Sequence, residues 1–318
     1  MTVPVVGVDL GGTKVFGALV DPERTGLGAV LDDAKAATPT GGVDSVLDAV
    51  ERLVRSLDPD PTAVGIGTPG VVEPGTGRVL LAPNLSGFDR PVDVGRLLRE
   101  RLGCEVAVGN DVNVAALGEV RAGAGVGHDD VLAVWLGTGL GAGLVLDGHL
   151  RVGPHGLAGE LGHAVVVPDG RVCGCGGRGH LEAYIGRRAL EVRARELHAS
   201  GRPTRLVELA GDSPIKSKVF RAAYDAGDPV TRELIDEGVA LLGVAVVNVA
   251  VTVDIGAVVV GGGLGERFGE LVAQHLRTAL ATLGHAGIEP VVLQASLGDH
   301  AGALGAARLV VEPGRKTG

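Results

Sequence analysis

Two apolar strands joined by a glycine turn occur once in each half of the chain, and this unit constrains the fold more than any other feature. The turns read Gly11-Gly12-Thr13-Lys14 in the first half and Gly137-Thr138-Gly139-Leu140-Gly141 in the second. A strand, a short glycine turn and a second strand predict a β-hairpin, and the recurrence indicates an internally duplicated domain plan. The flanking strands are predicted at Val3–Leu10, Val15–Val20, Val131–Leu136 and Ala142–Leu146.

Helical and strand signals alternate over the rest of the chain, which predicts an α/β fold. Apolar residues from Val46 to Leu57 recur at helical spacing after a cap expected at Asp44 or Ser45. The other predicted helices lie near 92–102, 182–199, 216–226 and 229–253, with two more beginning near 266 and 301. Further strands are predicted at 63–67, 105–108, 255–260 and 290–293.

Length and composition favour a two-domain protein that does not bind nucleic acid. A chain of 318 residues exceeds the usual size of one core. We expect a small α/β domain from 1–112 plus 301–318, and a large α/β domain from 113–300. The net charge of −9 and an aromatic content of 2% argue against a nucleic-acid surface.

The chain is expected to be cytoplasmic and to cross no membrane. The residues after Met1 have neither the basic start nor the apolar core of a secretion signal. The longest apolar region, Val239–Val253, is shorter than a bilayer span, so a buried helix explains it better. Three cysteines, two of them one residue apart, do not suggest a disulfide framework.

The glycine turns are suited to binding phosphate. Backbone N–H groups without side-chain obstruction can approach phosphate oxygens, and Asp9 at the strand end could hold Mg²⁺ directly or through water. One such turn alone is more often an ordinary hairpin. Three of them, with Gly261-Gly262-Gly263 after another apolar strand, favour a bound nucleotide. The dinucleotide-binding alternative fails, because a strand follows the second turn where that motif needs a helix.

Asp111 is the candidate catalytic base. It follows a predicted strand, stands next to Asn110 and opens a helical run, so taken alone it would be read as a helix cap. In the functional interpretation its carboxylate accepts a sugar hydroxyl proton while Asn110 fixes neighbouring hydroxyls. A helix N-terminus favours the ionised carboxylate, which predicts a weak base. A loose phosphoryl-transfer transition state tolerates such a base, since it needs little early deprotonation.

A cysteine- and histidine-containing loop is the most distinctive segment of the chain. Its two imidazoles and two thiolates form a plausible tetrahedral zinc set, and interleaved glycines would let a short loop wrap an ion. A metal-free loop with reduced thiols is the weaker alternative. Glu160 and Glu182 flank the loop and could be aimed at sugar hydroxyls. The predicted zinc ligands are His163, Cys173, Cys175 and His180.

Together these segments resemble the ROK family of bacterial sugar kinases and sugar-responsive repressors over nearly the whole chain. The match is carried by residues 9–14, 110–111, 160–163 and the 173–182 loop, with weaker support at 67–70 and 83–85. The resemblance implies a two-domain actin/hexokinase/Hsp70-like (ribonuclease H-like) fold with an interdomain cleft. Family members usually carry cysteine where this chain has His180, and histidine is also a competent zinc ligand.

The resemblance implies an ATP-dependent kinase acting on the 6-hydroxyl of a free hexose. Asp111 would be the general base, and His163 would use one ring nitrogen for zinc and the other for the sugar. The implied cofactors are ATP, Mg²⁺ and a structural Zn²⁺. The implied sugar-binding residues are Gly70, Asn84, Asn110, Asp111, Glu160, His163 and Glu182. The implied nucleotide-binding residues are Asp9, Gly11, Gly12, Thr13, Lys14, Gly137, Thr138, Gly139, Gly261, Gly262 and Gly263.

Several alternatives remain open at the level of sequence. Glucose is the favoured substrate because the pattern is most similar to the family's glucokinases, but N-acetylmannosamine, N-acetylglucosamine, fructose or allose would use the same hydroxyl-binding residues. Polyphosphate could replace ATP as donor. A sugar-responsive repressor would add an N-terminal DNA-binding module, for which the hairpin beginning at Val3 leaves no room. The family also suggests a homodimer or homotetramer.

Overall fold

The computed structural model describes residues 3–283 and 289–312. Alternating strands and helices form an α/β fold, as the sequence predicted, with three short 3₁₀ helices at Gly26–Ala29, Leu161–His163 and Gly298–His300. The strands are β1 Val5–Leu10, β2 Lys14–Val20, β3 Val30–Ala37, β4 Ala63–Thr68, β5 Val71–Glu73, β6 Arg78–Leu81, β7 Glu105–Asn110, β8 Val131–Leu136, β9 Leu140–Leu146, β10 His149–Arg151, β11 Ala257–Gly261 and β12 Val291–Gln294.

The helices differ widely in length, from one turn to seven. The longest, of 25 residues, begins at the predicted Pro229 and ends at the predicted Val253. The helices are α1 Val43–Leu57, α2 Val94–Leu102, α3 Asp111–Ala122, α4 Glu182–Ile185, α5 Arg187–Ala199, α6 Arg205–Ala210, α7 Ser217–Asp225, α8 Pro229–Val253, α9 Gly262–Ala281 and α10 Ala301–Val311.

The two five-stranded sheets follow the same plan. The first has the order β3-β2-β1-β4-β7 and the second β10-β9-β8-β11-β12. In the first sheet β1, β2 and β3 are antiparallel neighbours, whereas β1, β4 and β7 run parallel. The second sheet pairs β9 with β10 antiparallel and β11 with β12 parallel. This repetition of strand order agrees with the predicted duplication.

The parallel strands of the first sheet bring the predicted polar residues to one edge. Asp9 on β1 pairs with Gly67 on β4, which in turn pairs with Gly109 on β7. Because the carboxyl ends of neighbouring parallel strands lie at the same edge, Asp9 and the β7–α3 junction are neighbours. The candidate base at the start of α3 and the first glycine turn therefore share this edge.

The chain divides into two compact units. The first comprises residues 1–132, 143–159 and 295–318, and the second comprises residues 133–142 and 160–294. Helix α3 belongs to the first unit. The segment with the four candidate zinc ligands, residues 163–180, is called the cysteine loop and belongs to the second. The predicted domain boundary after position 112 stays a prediction, and its stretch 313–318 lies outside the described residues.

In the first unit, the backbone of helix α10 lies in close contact with the backbones of β4 and α3. A Cβ added to Gly65 on β4 would stand 1.7 Å from the Ala306 carbonyl oxygen, and one on Gly305 would stand 1.6 Å from that of Val114 on α3. Only glycine fits where backbones approach this closely. The small side chains of α10 therefore let β4 and α3 pack against the same helix, which holds α3 against the sheet.

Several element boundaries differ from the prediction by one or two residues, strands β3, β5, β6 and β10 and helix α6 were not predicted, and three helices differ in ways that have a structural cause. Helix α1 is capped by Gly42, with φ of 91°, while Asp44 pairs with Arg101 instead. The helix predicted over 182–199 is broken at Gly186, where the backbone is extended. Helix α9 begins at Gly262 rather than near 266, so two of the three glycines form its first turn.

Helix α8 is long and apolar enough to cross a membrane by length and composition alone. Half of its most apolar window is buried in the fold, and the core helices of globular proteins pass the same test. Its exposed residues include Val244 and Val251. The burial supports the predicted interpretation as a packed helix.

Candidate active site

The candidate base, Asp111, is the first residue of α3 and is half-buried. Asn110 caps the helix: its Oδ1 accepts from the N–H groups of Val112 and Asn113 at 3.0 and 3.1 Å. The Asp111 carboxylate accepts from Val112 N–H at 2.9 Å. Asn110, rather than Asp111, therefore performs the capping, which leaves the Asp111 side chain available for another task.

Burial raises the pKa of Asp111, and the hydrogen bonds from Val112, from its own backbone and from Asn110 only partly oppose this. The sequence predicted the opposite direction from the helix N-terminus, and that prediction was wrong because desolvation outweighs the backbone donors. A carboxylate with a raised pKa is a stronger base once ionised.

Asp9 ends β1 in the same unit and is electrostatically coupled to Asp111. Its pKa is raised to about 6, mainly by burial and then by the Asp111 carboxylate, while Lys14 opposes both. A desolvated carboxylate whose pKa is raised by a second carboxylate is a good ligand for a divalent cation that prefers oxygen. Asp9 therefore fits the predicted magnesium role.

In the first glycine turn the carbonyl oxygens of Gly11 and Thr13 are occupied and the amides of Gly12 and Thr13 are open. Thr38 donates its hydroxyl to the Gly11 carbonyl at 2.6 Å and its N–H to the Thr13 carbonyl at 3.1 Å. Within the described residues, nothing accepts from the N–H groups of Gly12 and Thr13. The turn thus presents donors rather than acceptors, the arrangement an anion requires.

Residues predicted at the sugar also pack around this turn. A Cβ on Gly12 would stand 2.8 Å from the Asn84 carbonyl oxygen, so that segment lies directly against the turn. The Gly70 carbonyl accepts from Asn110 Nδ2 at 3.0 Å. Gly70 has φ of 92°, and a Cβ there would meet the Leu81 carbonyl at 2.0 Å. The 70, 84 and 110 segments are therefore brought together in the first unit.

The second glycine turn, in the other unit, has the same design. The carbonyls of Gly137 and Thr138 accept from the first two N–H groups of α5, those of Arg187 and Arg188, at 3.2 and 3.0 Å. The Gly139 carbonyl accepts from Gly137 N–H at 2.9 Å. Among the residues that the structure describes, the amides of Thr138 and Gly139 have no acceptor. This turn can also bind an anion.

Glu182 reaches the second turn from the start of α4. Its Oε2 accepts from Leu140 N–H at 2.9 Å, and its Oε1 lies 3.8 Å from the sulfur of Cys173. A Cβ on Gly139 would meet this carboxylate at 2.2 Å, so any other residue there would displace the Glu182 side chain. Glu182 therefore links the cysteine loop to the second glycine turn.

The third glycine segment joins β11 to α9 beside the end of β8. Gly262 has φ of 82°, and a Cβ there would stand 2.7 Å from the Leu136 carbonyl oxygen. A Cβ on Gly263 would stand 3.4 Å from the hydroxyl oxygen of Ser217, at the start of α7. The second and third glycine segments are therefore near neighbours within the same unit.

The four predicted zinc ligands converge. Their ligand atoms all lie within 4.8 Å of one another, and Cys175 Sγ is 3.2 Å from His180 Nδ1. Gly177 is required because a Cβ there would overlap the His180 ring at 2.2 Å. Two thiolates and two imidazoles at this spacing fit the donor set of a structural zinc site. The ligands are His163, Cys173, Cys175 and His180.

Glu160 stands beside one of these ligands. Its Oε2 is 3.8 Å from His163 Nε2, and both side chains are partly exposed. The Cys173 thiol is buried, and desolvation is the main cause of its raised pKa. The exposed Glu160 and His163 therefore form the accessible side of the loop.

Four residues of these surroundings escaped the sequence analysis. Thr38 locks the first turn, Arg187 contacts the second, and Asp299 pairs with Lys14 Nζ at 2.9 Å. The buried Glu119 accepts from the N–H groups of Ala124, Ser296 and Leu297. These residues act over long sequence separations, and no local pattern could have identified them.

Comparison with known proteins agrees with this geometry. The family model described as "ROK family" matches residues 5–312. Glucokinase from Streptomyces coelicolor is 37% identical, over 97% of this chain and 98% of that protein.

Two solved structures match nearly the full length. The ROK hexokinase from Thermus thermophilus has a TM-score of 0.82 at 32% identity, covering 97% of this chain and 98% of that one. A ROK family glucokinase from Streptomyces griseus, in complex with glucose and AMPPNP, has a TM-score of 0.77 at 37% identity, covering 97% and 99%. These matches confirm the predicted actin/hexokinase-like fold and the predicted resemblance. The chain belongs to the ROK family.

Proposed function

We propose that this protein transfers the γ-phosphoryl group of ATP to the 6-hydroxyl of glucose, giving glucose 6-phosphate and ADP. The observation that carries the proposal is Asp111, a half-buried carboxylate of raised pKa beside Asp9 and the first glycine turn. The similarity to the Streptomyces coelicolor glucokinase and to a glucokinase crystallised with glucose favours glucose over other hexoses.

Asp111 accepts the proton of the 6-hydroxyl in this mechanism. As the oxygen bonds to the γ-phosphorus, the bond from that phosphorus to the β,γ-bridging oxygen breaks and ADP leaves. The transition state is loose, so proton transfer follows late. The raised pKa of Asp111 makes its ionised form a stronger proton acceptor than an ordinary aspartate.

The open amides of the two glycine turns would hold the phosphate oxygens, and the Gly261–Gly263 segment would lie near the adenosine. Asp9 would hold Mg²⁺, directly or through water. When bound, that ion neutralises charge on the β- and γ-phosphate oxygens. Lys14 adds a cation at the first turn, although in this structure it pairs with Asp299.

The proposed sugar-binding residues are Glu160, His163 and Glu182 in the second unit and Gly70, Asn84 and Asn110 in the first. We propose a structural zinc held by His163, Cys173, Cys175 and His180. Bound zinc would fix the loop and set the tautomer of His163, which leaves its other ring nitrogen for a defined hydrogen bond. The convergence of the ligand atoms within 4.8 Å supports this assignment.

A coupled assay over a hexose panel tests the proposal. With ATP and Mg²⁺, we expect glucose to have the highest kcat/KM among glucose, N-acetylmannosamine, N-acetylglucosamine, fructose and allose. A preference for another hexose would reassign the substrate within the same reaction. Absence of turnover with every sugar, with either ATP or polyphosphate as donor, would contradict the kinase assignment.

We also infer that the protein self-associates in the cytoplasm, where ATP is available. Val244 and Val251, two turns apart on α8, are 49% and 63% exposed, and apolar side chains aligned on one helix face favour burial against a partner. Light scattering should give a dimer or tetramer. A Val244→Asp variant that leaves the mass unchanged would exclude this face as the interface.

A further inference from the structure

Arg187 is held at the second glycine turn by both its backbone and its side chain. Its backbone N–H, the first of α5, donates to the Gly137 carbonyl at 3.2 Å. Its guanidinium donates through Nη2 to Thr138 Oγ1 at 3.1 Å and through Nη1 to the Ile215 carbonyl at 3.0 Å. Both ends of this residue are therefore anchored at the turn.

The Arg187 guanidinium differs from the neighbouring arginines on α5 in its charge pairing. Within residues 3–283 and 289–312, no carboxylate pairs with Arg187, whereas Arg193 and Arg195 on the same helix each have a glutamate partner. Arginine carries five N–H donors and cannot be deprotonated, so donors remain after two bonds to neutral oxygens. An anchored, partly exposed and uncompensated cation is a receptor for an anion.

Two further features favour phosphate as the anion bound near Arg187. Since Thr138 Oγ1 accepts from Arg187, its own proton is free to be donated elsewhere. The open amides of Thr138 and Gly139 stand in the same turn, at the positive end of α5. The Ile215 carbonyl that holds the guanidinium precedes Ser217, which lies against the third glycine segment.

We propose that Arg187 is a phosphate-binding residue that contacts the β- or γ-phosphate of the nucleotide. The assignment rests on the proposed function and adds to it a cation that sequence motifs did not identify. In phosphoryl transfer, a guanidinium at the transferred group stabilises the charge on its equatorial oxygens. Thr138 and Ile215 hold this guanidinium in place before the nucleotide arrives, so little side-chain entropy is lost on binding.

Direct binding measurements on Arg187→Gln test the assignment. The probes are ATP, AMP and inorganic tripolyphosphate, each titrated into wild type and variant in a calorimeter. We expect ATP and tripolyphosphate to bind roughly 10- to 100-fold more weakly to the variant, because a charged hydrogen bond to phosphate is lost. AMP affinity should change by less than about threefold, since AMP lacks the contacted phosphates.

Arg193→Gln is the matched control. It removes the same charge from the same helix but only breaks the surface pair with Glu196, and it should leave all three affinities unchanged. Arg187→Lys is the second variant if the glutamine variant fails to fold. Lysine keeps the charge but cannot reproduce both guanidinium hydrogen bonds, to Thr138 and to Ile215. Its ATP affinity should therefore be intermediate.

Two results would overturn the assignment. Equal weakening of ATP and AMP by Arg187→Gln would mean that the residue only supports the turn. Unchanged tripolyphosphate affinity would mean that it does not touch phosphate. Both are distinct from failure of the proposed function, in which the wild-type protein itself would bind no ATP or would phosphorylate no sugar.

Discussion

At the scale of single residues, Asp111 is subject to two opposing influences on its pKa. The start of α3 offers backbone donors that stabilise the ionised carboxylate, while burial favours the neutral form and prevails. Asn110 takes over the capping task, with two bonds to backbone N–H groups. The chain therefore places a carboxylate of raised pKa at a helix start without losing the cap.

We expect Asp111→Asn to lower kcat by about 10²- to 10⁴-fold, the usual contribution of a general base. Glucose affinity should stay within severalfold of wild type, because the amide keeps the size and one acceptor oxygen of the side chain. Coupled kinetics measure the first effect and calorimetry the second. Retention of near-full activity would refute the assignment of the base.

Asp9 predicts a pH dependence of stability. Its folded pKa of about 6 exceeds the ordinary 3.8, so between these values the folded protein binds a proton that the unfolded chain has lost. The free energy of unfolding should therefore fall as pH rises from about 4 to 6 in magnesium-free buffer. Asp9→Asn should remove this slope and stabilise the protein at pH 7.5 by up to roughly 3 kcal/mol, while impairing activity.

Denaturant titrations in magnesium-free buffer without chelator, from pH 4 to 8, provide the measurement for Asp9. Asp89→Asn, which neutralises an exposed carboxylate in the same unit, is the control and should change the pH dependence little. An Asp9→Asn protein less stable than wild type at pH 7.5 would contradict the desolvation argument.

At the scale of elements, the first and second glycine turns each depend on a neighbouring segment whose N–H or hydroxyl groups bind their carbonyl oxygens. Thr38, just after β3, does this for the first turn, and the start of α5 does it for the second. Both arrangements leave two amides open, although the supporting residues have nothing in common in sequence. The shared requirement is that carbonyl oxygens must not face an anion.

Thr38→Val keeps the shape of the side chain and removes its hydrogen bond to Gly11. We expect KM for ATP to rise by roughly fivefold, since a hydrogen bond of this kind contributes about 1 kcal/mol, with KM for glucose little changed. Thr40→Val is the control, because only the carbonyl of exposed Thr40 is in use. Equal effects of the two variants on ATP would argue against a role for Thr38.

The cysteine loop provides the second test at this scale. We expect His180→Ala to lose bound zinc and to raise KM for glucose, whereas His180→Cys should keep the metal because thiolate is an equally good ligand. Cys104→Ser, at a thiol outside the loop, should retain full zinc content. Elemental analysis checks all three variants. Stoichiometric zinc in His180→Ala would remove His180 from the ligand set.

At the scale of the whole molecule, distant parts of the chain meet in buried contacts. Glu119 on α3 is fully buried and accepts from Ser296 N–H, 177 residues away, and from Leu297 N–H. These bonds hold the segment that leads to Asp299, the partner of Lys14. One buried carboxylate thereby connects α3, the helix of the candidate base, to the surroundings of the first glycine turn.

Glu119→Gln should destabilise the protein by about 3 kcal/mol. The NH₂ group of glutamine would replace one acceptor oxygen and face backbone N–H groups, which would then lack an acceptor. The midpoint of thermal unfolding should fall by several degrees. Glu105→Gln, on an exposed side chain at the start of β7, should leave it unchanged. If both variants melt with wild type, the buried carboxylate is not essential to the fold.

Much of the fold and of the candidate site could be predicted from local patterns. The hairpin turns, the 25-residue helix and the α/β class follow from apolar periodicity and glycine placement, because these depend on residues close in sequence. The convergence of the two cysteines and two histidines could be predicted for the same reason, since three of the four lie within eight residues. At Gly186 the backbone is extended and breaks the predicted helix, and a Cβ there would stand 2.9 Å from Glu182, a close approach that periodicity does not reveal.

By itself, the sequence determined which residues could bind phosphate, accept a proton or hold zinc, because side-chain chemistry and local spacing decide those capacities. Only the tertiary structure decided the direction of the pKa shift at Asp111, the anchoring of Arg187 and the partners of Thr38 and Glu119. The physical reason is that desolvation and long-range hydrogen bonds depend on which segments surround a group. That neighbourhood exists only once strands and helices distant in the chain have packed together.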